Sequence, residues 1–187
     1  MPEGPCSGDA VQKTETAALE MYRFAALMLG DEAAAQRLVE TSVDAVEIDP
    51  CADPCAAKGQ VRDRVIDGAL AIMHRQDPAS FASLPAAEPG SDCIDEPTPM
   101  TDAELARLVT DTGRGTLREW LDRLSQAQRA VFVQRAVLGR TNADTARAIN
   151  QYARPSVWTP DAVRRLFRQA LCSLASAVAH AVPATHA

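Results

Sequence analysis

Aromatic side chains are scarce in this chain of 187 residues, which has four Phe, two Tyr and two Trp. None falls between Asp44 and Met73. Capturing unpaired bases needs ring faces for stacking and cations for phosphate, so that stretch is poorly equipped for it. Long hydrophobic runs are missing too. No run of about 18 apolar residues offers a transmembrane helix, and the opening "MPEGPCSGDAVQK" has no apolar signal-peptide core. The chain is therefore expected to be cytoplasmic, without membrane insertion. Five cysteines at irregular spacing (Cys6, Cys51, Cys55, Cys93, Cys172) make no disulfide framework. Cys51 and Cys55, with His74 or Cys93, supply part of a zinc site, but a tetrahedral site needs four ligands and no second spaced pair exists. No metal is expected. Gly113-Arg114-Gly115 is too short for a phosphate loop, and His74, His180 and His186 are scattered, so no enzyme and no cofactor are expected.

Charge is abundant but unevenly divided. From Gly113 onward 11 basic residues face 4 acidic ones, a net +7. Residues 1–112 hold 8 basic and 21 acidic, a net −13. Only the C-terminal part carries the electrostatic footprint that duplex DNA selects.

That basic part is dense in helix signals. Thr159-Pro160-Asp161 places an N-cap, a proline suited to the first helical position and a carboxylate favoured by the helix dipole. Val163, Leu166, Phe167, Ala170, Leu171 and Leu174 then form one apolar stripe, with Asp161, Arg164, Arg165, Arg168 and Gln169 on the other side. Upstream, Ser125–Gln128 is a capping box opening a helix through Val131, Phe132 and Val137 to Gly139. Thr141–Asp144 is a second box, opening a short helix through Ala146 and Ile149. Supporting helix, glycine turn, short helix and arginine-bearing helix make a helix-turn-helix. Gln151 to Thr159, "QYARPSVWT", is about twice the usual 3–4-residue turn. Its Arg154 and Trp158 are secondary candidates for contact with DNA. The plain alternative for the arginines is a solvated helix face.

The run "LDRLSQAQRAVFVQRAVLGRTNADTARAIN" with "TPDAVRRLFRQALCSLAS" resembles the fourth conserved region of bacterial sigma factors of the extracytoplasmic-function (ECF) group. Gln128, Arg129, Val131, Phe132, Gly139, Ala146, Ile149, Val163, Arg164, Phe167, Arg168, Ala170 and Leu171 fall in register with that family's pattern. The resemblance implies that Thr159, Asp161, Arg164, Arg165 and Arg168 contact promoter DNA.

"MYRFAALMLGDEAAAQRLVETSVDAV" resembles the family's second region, held in register by Tyr22, Arg23, Ala25, Leu29, Gly30, Asp31, Ala35, Leu38 and Val39. There the family docks on core RNA polymerase through an acidic D-L-V-Q patch, which here reads Arg37-Leu38-Val39-Glu40. With no aromatic in the helix that follows, this member is divergent, its second region eroded, and promoter opening is expected to be weak.

The pattern places helices from Thr16 through Leu19, Tyr22, Arg23, Ala26 and Leu27 to Gly30, and from Asp31 through Ala35, Leu38, Val39, Ser42, Val43 and Val46, closed by Pro50 and Pro54. A third runs from about Ala57 to His74 on Val61, Val65, Ala69, Ile72 and Met73. Thr101–Glu104 and Thr116–Glu119 are further capping boxes, and Trp120 is read as a core residue. The expected fold is all-α: a disordered N-terminus (1–14), a sigma region 2-like helical bundle (15–78), a flexible Pro- and acid-rich linker (79–100) and a region 4-like helix-turn-helix domain (101–180), with a frayed end after Val178. By resemblance the partners are core RNA polymerase, promoter DNA and an anti-sigma factor. Two other readings are a sigma mimic, which binds an anti-sigma factor or other regulator without opening promoters, and a dimeric helix-turn-helix repressor.

Overall fold

A glycine and an aspartate set the first corner of the chain. In the computed structural model, which describes residues 8–47, 53–83, 111–153 and 157–181, Gly30 has a φ of 69°. That left-handed turn ends the first helix, and only glycine enters it without strain. Asp31 then caps the second helix, its Oδ1 accepting from the Ala34 N–H at 2.9 Å. The elements so joined are α1 (Gly8–Leu29) and α2 (Glu32–Asp44). α3 (Pro54–Gln76) follows, opened by Asp53 Oδ1 on the Ala56 N–H at 3.0 Å. Pro54 therefore starts the third helix, where its missing N–H is harmless, and does not close the second. α1 begins eight residues before Thr16, so residues 8–14, expected to be disordered, are helical.

These helices belong to the first of two compact units, Met1–Gln76 and Asp77–Ala187. The first unit's core comes from Met21, Phe24, Ala25 and Met28 of α1, Ala35 and Val39 of α2, and Val65, Ile66, Ala69, Leu70 and Met73 of α3. The buried stripe of α1 is thus one turn-phase away from the one expected. Leu19 is 47% exposed and Arg23 faces solvent, because the Met21–Phe24–Met28 face carries the bulkier apolar groups. In α3 the absent side chain of Gly68 makes room for Leu38, whose Cδ1 occupies the place a Cβ would take.

After one intervening residue, Asp77, the chain enters α4 (Pro78–Ala82), and this short helix is part of the second unit. Asp77 caps it through Oδ1 on the Ser80 N–H at 3.1 Å, with Pro78 at the first helical position. The expected linker therefore begins in folded chain, and the rest of it, with the Thr101 box, lies outside the described residues. α5 (Asp111–Arg123), α6 (Gln126–Phe132), a π-helical turn (Val133–Val137), α7 (Asn142–Asn150) and α8 (Pro160–Ala181) complete the unit. Thr116 sits inside α5 and opens no helix, since the backbone stays helical through Gly113 and Gly115. α8 extends three residues past Val178. The described residues contain no strand and no helix long and apolar enough to cross a membrane.

The second core gathers Phe81, Trp120, Leu121, Val131, Phe132, Ile149, Trp158, Val163, Leu166 and Leu174. Trp120 meets Phe132 edge to face with centroids 4.8 Å apart, and its indole N–H donates to Ser173 Oγ at 2.8 Å. Arg129 is also interior. Its Nε and Nη2 donate to the Leu121 carbonyl at 3.0 and 2.5 Å, satisfying the end of α5, and Nη2 also reaches Asp122 Oδ1 at 2.9 Å. Cys172 in α8 is disulfide-bonded, while Cys55 is free and exposed.

Candidate nucleic-acid interface

Local devices build the corner between α6 and α7 and tie it to α8. Ser125 and Gln128 form a reciprocal capping box, with Ser125 Oγ accepting from the Gln128 N–H at 3.3 Å and Gln128 Oε1 from the Ser125 N–H at 3.1 Å. The π turn widens the last turn before the corner, its Leu138 N–H reaching back to the Val133 carbonyl at 3.1 Å. Gly139, at a φ of 63°, makes the corner itself. Buried Gln134 holds that corner from inside, donating to the Ala130 carbonyl at 3.3 Å and accepting from Arg140 Nη1 at 3.3 Å. Arg135 donates to the Arg140 carbonyl and lies 5.4 Å from the Phe167 ring centre, tying the corner to α8.

Thr141 caps α7, accepting from the Asp144 N–H at 3.1 Å. Its hydroxyl donates to Asp144 Oδ2 at 2.6 Å, and Arg147 Nη1 donates to Oδ1 at 2.8 Å. These two donors, Thr141 first, hold the Asp144 carboxyl below its ordinary value of 3.8. A depressed pKa stabilises the fold above the unfolded value and loses that contribution as pH falls through the folded one. NMR titration should therefore find Asp144 below 3.8, and Thr141→Val should move it back towards 3.8.

The long connection to α8 is closed at both ends. Asn150, the last residue of α7, accepts from the Trp158 N–H at 2.7 Å and donates to the Trp158 carbonyl at 2.8 Å. That two-way clamp brings residues eight apart together, so a nine-residue connection still delivers α8 from a fixed point. Trp158 is 2% exposed, and its indole N–H donates to the Phe81 carbonyl at 2.8 Å. It cannot stack on a base from there, whereas Arg154 lies outside the described residues.

Thr159 then caps α8, its Oγ1 accepting from the Ala162 N–H at 3.1 Å. Ala162, Val163, Leu166 and Ala170 are buried, while Asp161, Arg164 and Arg165 stand in solvent. Arg164 Nη2 pairs with Asp161 Oδ1 at 3.0 Å, the two side chains being 61% and 69% exposed. Such an exposed pair stabilises a fold by less than about 1 kcal/mol, so stability is a weak reason for its presence. Arg168, one turn on, is half-buried and engaged within the protein. Thr159, Asp161, Arg164 and Arg165 are thus brought together in the first turns of α8, and Arg168 stands apart from them in its surroundings. On α7, Arg147 is 74% exposed and paired with Asp144; its spacing of three from Asp144 was the available signal for it.

The second candidate group divides. Val39 is 7% exposed and faces the first unit's core, and Leu38 is half-buried over Gly68. Arg37 and Glu40 remain on the surface, with Glu40 Oε1 accepting from Gln36 Nε2 at 2.8 Å. Among the described residues no group of three His, Cys, Asp or Glu gathers as metal ligands.

Comparison with protein-family models, curated proteins and solved structures returned no match.

Proposed function

We propose that the protein is a transcription regulator of the ECF sigma-factor kind, working in the cytoplasm, that binds promoter DNA through α7 and α8 and core RNA polymerase through its first unit. The observation that carries the reading is the first turn of α8. There Arg164 and Arg165 project from a helix whose opposite face is buried, at the end of a capped, glycine-turned pair of helices. Recognition helices present their N-terminal residues to base edges in this way. The net +7 of residues 113–187 supports the assignment of DNA to this half.

The test is fluorescence anisotropy of the full chain on a selected duplex over a salt series. Arg164→Ala and Arg165→Ala should each weaken binding with the melting temperature unchanged. A lost phosphate contact lowers the salt slope by roughly one, while a lost guanine contact relaxes specificity at one position. Unchanged affinity and slope in both variants would overturn the reading.

A second reading, the sigma mimic, draws on the burial of Val39 and on the lack of aromatics between Asp44 and Met73. On that reading the acidic first unit engages an anti-sigma factor or another regulator and opens no promoter. Co-purification with core polymerase, followed by run-off transcription on genomic DNA, separates the two.

A further inference from the structure

A carboxylate in the first turn of α8 suits the helix dipole but works against DNA. Duplex DNA presents dense negative charge, and every anion brought to it opposes binding. Asp161 is such an anion, 69% exposed and in the same turn as Arg164 and Arg165. Helix capping does not require it, since Thr159 Oγ1 already takes the Ala162 N–H and the Thr159 carbonyl takes the Val163 N–H at 3.1 Å. What its Oδ1 does is hold Arg164 Nη2 at 3.0 Å.

We infer that Asp161 is a specificity residue: it positions Arg164 for a guanine and accepts a hydrogen bond from the amino group of a neighbouring cytosine. The inference rests on the DNA-binding reading of α8. Its chemistry is that of the major groove. A guanidinium meets guanine O6 and N7 as a two-donor fork, and a carboxylate accepts from cytosine N4. An arginine free to rotate loses side-chain freedom when it docks; one already held by a carboxylate loses less. A carboxylate has two oxygens, so Oδ1 holds the guanidinium while Oδ2 accepts from the base. Residues 161 and 164 are separated by about 4.5 Å of helix rise, comparable with the spacing of about 3.4 Å between stacked base pairs. The pair therefore reads neighbouring base pairs, one with cytosine and one with guanine towards the helix. Where the bases are wrong, the same carboxylate faces phosphate without a donor and repels, which sharpens discrimination against other sequences.

The experiment selects a consensus duplex with the full chain, then measures that duplex and a random-sequence duplex against the wild type, Asp161→Ala and Asp161→Asn. Asp161→Ala should bind random DNA more tightly while discrimination at the cytosine position falls by about five- to 150-fold. Asp161→Asn should shift that position towards adenine, which an amide contacts through N6 and N7. A purely structural role would weaken both duplexes equally and leave base preference alone. If the wild type yields a consensus and Asp161→Ala leaves it intact, the inference falls and the DNA-binding reading stands. If the wild type selects no sequence at all, both fall together.

Discussion

Trp158→Ala should lower the melting temperature of the second unit by more than about 10 °C, since removing a large buried aromatic costs about 3–5 kcal/mol and a domain of this size shifts by about 4–8 °C per kcal/mol. Trp158 is among the largest fully buried side chains, and three hydrogen bonds depend on its placement, two to Asn150 and one to the Phe81 carbonyl. Truncation would empty a fully buried site and take the indole donor away from that carbonyl. Phe81→Ala leaves the accepting carbonyl in place and removes the fully buried ring of the residue that Trp158 hydrogen-bonds, so, with the two residues in contact, the double variant should lose less than the two single losses combined. Trp158→Phe keeps most of the packing and isolates the indole N–H. Differential scanning calorimetry reads all four proteins. A shift within about 2 °C for Trp158→Ala would mean that α4 is not packed on the unit in solution.

Arg129→Met should be the next largest loss. The substitution keeps an aliphatic stem in a site where the arginine side chain is 7% exposed, and it removes the guanidinium donors on the Leu121 carbonyl. The Leu121 carbonyl keeps the Leu124 N–H at 3.2 Å, so the loss is that of hydrogen bonds from a charged donor, which cost about 1.5–3 kcal/mol. Asp122 is 56% exposed, so Asp122→Asn should cost less than about 1 kcal/mol. The two variants also differ in their response to salt. The carbonyl contact is shielded from solvent, so the Arg129→Met deficit should persist in 1 M NaCl, where the Debye length is about 3 Å, while any Asp122→Asn effect fades. Chemical denaturation in urea at low and high NaCl measures both. Equal losses for the two variants would show that the ion pair, and not the carbonyl cap, is what matters.

The parts of the fold legible in the sequence are those fixed by neighbours in the chain. Ser125 with Gln128, Thr141, Gly139 and Thr159 each act within a few residues, so the starts of α6, α7 and α8 and the corner between the first two could be read from their spacing. α4 could not. Its "PASFA" lies beside a stretch rich in acids and prolines, and its burial depends on Trp158, 77 residues further on. Trp158 was open to misreading for the same reason, since an aromatic in a long loop looks available until its distant partner is known. In α1 two apolar stripes compete, and only packing against α2 and α3 chooses Met21, Phe24, Ala25 and Met28 over Leu19, Tyr22 and Ala26. Within the candidate interface, the polar face of α8 was legible as a set, but not the ion pair that singles out Asp161 and Arg164 or the engagement of Arg168. Spacing says which side chains share a face; it does not say which of them hold each other.

The polypeptide passes from one unit to the other through Asp77 alone, between the last residue of α3 and the first of α4. A recombination event that exchanged the basic half would have to break the gene at that codon to carry the second core away whole. A break in the stretch coding for 84–110, where composition changes most visibly, would leave Phe81 with the donor and deliver a Trp158 whose indole has no carbonyl to meet. Inheritance of the two halves is thereby linked across a boundary that looks, on paper, like the natural place to part them.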